Sequence, residues 1–298
     1  MIQTLARSMP YVFMAAFLAL PPTYAHASGF SSYLTLCLAG AAPVRPDEWW
    51  TAWSFAPEVV VPLLLAGIGA GAFWRRNAAR SGQPEPWRAF AFAGGYILLA
   101  LAVTSPLCRM AADLASAHMV QHLVLVALAP PLLVVGLPRH LLLRFCIPGI
   151  GMTAVIYGAM IWAWHVPPLY TASLVSEPVH LLLYATLLLA SLAFWINVRI
   201  SVSTSDGSAA SAIIALLVTL IHTGMLGALL SFSTALWYPI MELGAVTWGL
   251  TPLEDQQLAG LIMWVPMGGI YLVAALAVVG AALARSDRRN ARLPAHSG

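Results

Sequence analysis

HMVQHLVLVALAPPLLVVGLP, residues His118 to Pro138, is an apolar run long enough to cross a bilayer, and it opens with two imidazoles one helical turn apart. A spanning helix takes about 20 apolar residues, and a polar ring nitrogen inside one needs either a partner or a task. The same hydropathy recurs along the chain. After residue 56, seven segments qualify as spans, near 57–74, 87–107, 117–137, 146–165, 178–197, 209–230 and 256–284. The last is long enough to tilt or to extend past the lipid. The expected fold is an all-α polytopic membrane protein, a seven-helix bundle in which every helix satisfies its own backbone.

Composition points the same way. Of 298 residues, 60% are hydrophobic and 8% charged, where soluble domains carry roughly 25% charged residues. All 14 basic residues are Arg and the net charge is +3. They form no nucleic-acid patch, so the expected surroundings are the lipid bilayer and not a nucleic acid. Cys37, Cys108 and Cys146 make no CxxC pair, and neither a disulfide framework nor a zinc knuckle is expected. At the N-terminus, Arg7 precedes the apolar YVFMAAFLAL, then Pro21-Pro22 and Ala25-His26-Ala27. That is the layout of a signal peptide with an A-x-A site; the alternative is an uncleaved extra helix. The domains are therefore 1–27 signal peptide-like, 28–56 outer (periplasmic) segment, 57–284 membrane domain and 285–298 Arg-rich cytoplasmic tail.

Arginine placement orients the bundle, because basic residues favour the cytoplasmic side. Arg75, Arg76, Arg80 and Arg88 lie between the first two spans. Arg139 and Arg144 follow the third, Arg199 the fifth, and Arg285, Arg288, Arg289 and Arg292 the seventh. All fall on one side if residue 28 is outside. The opposite loops hold Arg45 and Arg109 and most of the acidic residues. A multi-pass protein of the bacterial inner (plasma) membrane follows, with the mature N-terminus outside and the C-terminus cytoplasmic.

With that topology, His118, His122, His165, His180 and His222 all lie in the outer half of the membrane domain, on four spans. His118 and His122, at i and i+4, share a helix face and can offer two nitrogens to one ion. No Glu follows His118, so zinc hydrolysis lacks a general base. Met225, three residues after His222, adds a thioether. Imidazole with thioether suits copper better than calcium or magnesium, which take oxygen ligands. The expected metal ligands are His118, His122 and His222 with Met225, and His165 and His180 gate or complete the site. Any single intramembrane His is equally explained as a helix–helix hydrogen bond. Five at one depth favour a shared site.

Other features have structural readings. Thr251-Pro252-Leu253-Glu254 is a capping box that starts the seventh span, with Asp255 suited to the positive helix end. Pro130-Pro131 is expected to bend or break the third span, neighbouring helices satisfying the freed carbonyls. Trp49, Trp50, Trp53, Trp162, Trp164, Trp237 and Trp248 make an outer aromatic belt.

HMVQHLVLVALAPPLLVVGLP, WHVPPLY with the later His180, LWYPI and WGLTPLEDQQLAGLIMWVP resemble, in this order, the CtaG family of cytochrome c oxidase assembly factors, from about Ser105 to Ala275. The resemblance implies a non-catalytic membrane protein needed to make active caa-type oxidase, with copper binding or delivery suspected. An oxidase subunit and a periplasmic copper donor are the implied partners. His118, His122, His165 and His180 match the family's motifs, whereas His222 and Met225 rest on spacing. Tyr184 stands where the family often carries a second His pattern. The alternatives are a haem-binding membrane redox protein or haem-modifying enzyme with His axial ligands, a small-ion transporter, and a plain scaffold for oxidase subunits. Below His222 the spans are nearly bare, with Asn197 and Thr219 as the few polar candidates for a conduction path.

Overall fold

The computed structural model describes residues 37–38, 43–81, 86–143, 148–202 and 206–290. The signal peptide-like segment 1–27, Cys146 and the tail beyond Asn290 lie outside them. Proline marks most helix starts, because its fixed φ suits a first turn whose N–H has no intrahelical partner. α1 (Pro57–Ser81), α2 (Pro86–Thr104) and α3 (Pro106–Asp113) each begin on one. Leu114, extended at φ −126° and ψ 127°, separates α3 from α4 (Ala115–Gly136). There follow α5 (Ile150–Trp164), α6 (Pro167–Val175), α7 (Glu177–Ser201), α8 (Asp206–Phe232) and α9 (Pro252–Arg289). No strand occurs among the described residues.

The chain is an all-α polytopic membrane protein. Among the described residues, six helices are long and apolar enough to cross a membrane, and α5 with α6 makes a seventh if the pair is one broken span. The break between them is 74°. Val166 makes it: the following Pro167 disfavours a helical residue there, and Val166 sits extended at ψ 125°. The helices differ in what covers them. α4 and α7 have 61% and 56% of their spanning windows buried, against 6% for α1 and 17% for α2. The helices carrying His118, His122 and His180 are thus wrapped in protein.

α4 runs on through Pro130-Pro131 as one span, so of the bend or break expected there no break occurs. It absorbs the pair by widening, with Leu123–Leu128 wound as π-helix and the α-helix resuming at Ala129. The prolines then fall in the first turn of the resumed stretch, where a missing N–H is least felt. The Val126 carbonyl, four residues before Pro130, loses its helical donor. As expected of neighbouring helices, others supply donors: Ser191 Oγ at 2.6 Å, and Tyr157 Oη and Trp195 Nε1 at 3.2 Å. α9 repeats the device, with Pro266 inside a second π segment, Met263–Met267. The two π segments touch.

α8 and α9 meet backbone to backbone. A Cβ on Gly227 would lie 2.8 Å from the Gly260 carbonyl, and one on Gly260 2.5 Å from the Gly227 carbonyl. Only hydrogen fits at either position, the small-residue packing that lets membrane helices approach closely.

At the opposite end of the bundle from the Arg-rich termini, residues 43–56 pack over α2, α3 and the 239–251 connection. Cys37 and Cys108 form a disulfide across 71 residues, which corrects the expectation drawn from the missing CxxC pair. The bridge is long-range, closed by tertiary packing that local spacing does not report. Val44 N–H donates to Asp113 Oδ2 at 2.9 Å, and Trp248 Nε1 donates to the Val44 carbonyl at 2.8 Å. Trp49, Trp50 and Trp53 are exposed here, as a belt requires, but Trp164 is buried and donates to Thr186 Oγ1.

Candidate metal centre

The first turn of α4 is held from outside itself. Its leading N–H groups have no intrahelical acceptor. Asp255, on α9, accepts from Ala115 N at 2.6 Å and from Ser116 N at 3.1 Å, and the Ser116 hydroxyl donates to it as well. The carboxylate is buried, with a negative charge at the positive helix end. Thr251 and Glu254 close the capping box of α9 unaided. Asp255 is therefore a cap, as expected, but for a different helix, and it fixes the segment that bears His118 and His122.

Four of the six expected ligands converge. His118, His122, His165 and His180 are all buried. The His118 and His122 rings lie 4.4 Å apart between centroids, and His122 lies 5.7 Å from His165. His180 stands within electrostatic reach of both His118 and His122. Backbone carbonyls then decide where the protons sit. His118 Nδ1 meets the Ala111 carbonyl at 2.9 Å, His165 Nδ1 that of Ile161 at 2.6 Å, and His180 Nδ1 that of Ser173 at 2.8 Å. A carbonyl only accepts, so each Nδ1 carries the hydrogen and each neutral ring keeps its lone pair on Nε2. This is the arrangement that orients a metal-binding imidazole. The Nε2 atoms of His118, His122 and His180 are buried without a hydrogen-bond partner, as is the Tyr170 hydroxyl, whose ring lies 4.8 Å from His118. A native interior rarely leaves several such groups unpaired together.

The other two expected ligands stand apart. Met225 is 52% exposed on the flank of α8. His222 is half-buried against α5, where a Cβ on Gly158 would lie 3.1 Å from its Nε2. Gly158 precedes His165 by seven residues, about 10 Å along a helix. The thioether beside the imidazoles is instead Met119, whose Sδ lies 3.4 Å from His165 Nε2. Met119, Met263 and Met267 line a cavity of about 10 Å³ together with His122 and His165. The HMVQH motif places Met119 three residues from His122, and Met263 and Met267 are four apart. Both spacings are legible, but methionine in an apolar helix gives no signal of its own.

Among the described residues, no three His, Cys, Asp or Glu side chains stand ready-made around one ion. The converging donors are imidazoles and thioethers, an open and soft set that fits copper. The cavity beside His122 and His165 has a volume of about 10 Å³, room for about one small particle. The surrounding polar contacts tie the cluster to the disulfide. Gln121 Nε2 donates to the Ala102 carbonyl at 2.7 Å and to Tyr184 Oη at 2.8 Å, and Tyr184 Oη lies 3.7 Å from Cys108 Sγ. Position 184, where the family resemblance left a His in doubt, thus positions Gln121 and packs 4.4 Å from the His180 ring.

Neither a curated protein nor a solved structure matches the chain. The family model for the cytochrome c oxidase caa3 assembly factor, Caa3_CtaG, matches residues 68–285, which include all four clustered histidines. The chain belongs to the family of cytochrome c oxidase caa3 assembly factors.

Proposed function

We propose that this protein serves oxidase assembly by binding copper among His118, His122, His165 and His180 and holding it for an oxidase subunit. Copper is cargo here, received from a donor on the outer face and passed on, with no catalytic chemistry by the chain itself. The single observation that carries the reading is the set of buried, unpartnered Nε2 atoms on His118, His122 and His180. A buried ring nitrogen is costly to desolvate without a partner, and a cation taken by the Nε2 lone pairs that the Nδ1 contacts fix on His118 and His180 removes that cost. Orientation follows from arginine: the Arg-rich helix ends lie in the cytoplasm and the histidine end faces outward. The protein is then a multi-pass resident of the bacterial plasma membrane whose site lies toward the compartment from which copper arrives.

Copper content of detergent-purified protein tests the reading. His118→Ala with His122→Ala should abolish stoichiometric copper while the bundle stays monodisperse and helical. Undiminished copper in that double variant overturns it.

A further inference from the structure

The contact between His165 and Met119 has a chemical peculiarity. His165 Nδ1 donates to the Ile161 carbonyl, so its Nε2 faces the Met119 sulfur as a lone pair. The thioether is also only an acceptor. In the neutral ring with its hydrogen on Nδ1, two lone-pair donors thus meet at 3.4 Å. Nothing in a neutral interior rewards that approach, whereas a soft cation between or beside them would.

The cavity next to this pair supplies the rest of a coordination sphere. His122 enters from α4, and its Nε2 has no hydrogen-bond partner. Met263 and Met267 enter from α9, at the two ends of its π segment. Both methionines are fully or nearly fully buried, at 0% and 2% exposure. The opposing π segment of α4 contributes Val126 to the same wall. π segments inside α-helices recur at functional sites, because the extra residue per turn re-aims side chains. Here two of them face one cavity with room for about one ion.

We infer that Met119, Met263 and Met267, with His122 and His165, form an inner compartment selective for a monovalent soft cation, Cu(I). This rests on the copper reading above and specifies the oxidation state held at its inner edge. Thioethers favour Cu(I) over the harder divalent ions, and a site with no carboxylate offers a dication no charge compensation.

The test uses the full-length protein in detergent with ascorbate as the reductant and bicinchoninate as the competing Cu(I) chelator. Changing Met119, Met263 and Met267 to Leu, which conserves volume, should weaken Cu(I) binding at least tenfold. The copper absorption edge of the loaded wild type should show sulfur scatterers that the triple variant lacks. Copper bound by wild type with only nitrogen neighbours overturns the inference and leaves the imidazole reading standing. A sulfur shell or an affinity unchanged in the triple variant also overturns it. A wild type that takes up no copper sinks the imidazole reading first and this inference with it. If the triple variant does not fold, the wild-type edge spectrum decides alone.

Discussion

Asp255 holds the positive end of α4 on one buried carboxylate, so charge and shape can be separated there by substitution. Asp255→Asn keeps the volume but loses the charge and one acceptor. Hydrogen bonds to a charged group contribute about 1.5–3 kcal/mol, and a loss in that range is expected in thermal unfolding in detergent, with reduced copper retention as α4 shifts. Asp113 carries a different prediction. Burial raises its carboxyl from 3.8 to about 6, against the opposing pull of the Val44 N–H and of Arg109. The folded chain therefore binds more protons than the unfolded one between those values, and stability falls as pH rises through that window, levelling above about 6. Asp113→Asn should flatten the dependence of the unfolding midpoint on pH between 4 and 7. The imidazoles themselves were legible from spacing, but the thioether partner was not. Met119 and Met225 both sit beside a histidine in apolar sequence, and only packing shows that one faces the cluster and the other faces out.

At the scale of the helix, hydropathy and proline account for most of what was readable. The seven segments and the break before Pro167 follow from rules that act within a few residues. The π segments do not, because hydropathy is the same whether a turn holds 3.6 residues or more, and the stabilising donors come from α5 and α7. Those donors make a prediction. Ser191→Ala removes the shortest of three bonds to the Val126 carbonyl. The remaining two should confine the loss in thermal stability to about 1 kcal/mol or less, while Ser191→Ala with Trp195→Phe should cost more than the sum of the single changes. Gly260→Val is the harsher case. Its side chain would meet the Gly227 backbone, and the variant should separate α8 from α9, read as a collapse of the folded fraction on size exclusion.

Across the whole molecule, the charge asymmetry of the helix ends was open to reading from the start, and the Cys37–Cys108 bridge was not. It joins a segment ahead of the first span to one between the second and third, a proximity that exists only once the bundle has formed. Closing a loop of 71 residues stabilises by about 4 kcal/mol in the chain-entropy account. Cys37→Ser should lower thermal stability in that direction and loosen residues 43–56, detectable as faster proteolysis there. The bridge also bears on handling. Dithiothreitol would open it and release two thiols, one of them beside the Tyr184 hydroxyl. Thiolates grip cuprous ions more tightly than imidazole or thioether does, so a thiol-containing buffer creates a second, artificial resting place for the metal a short distance from the native one, and stoichiometry measured there counts the wrong sulfur.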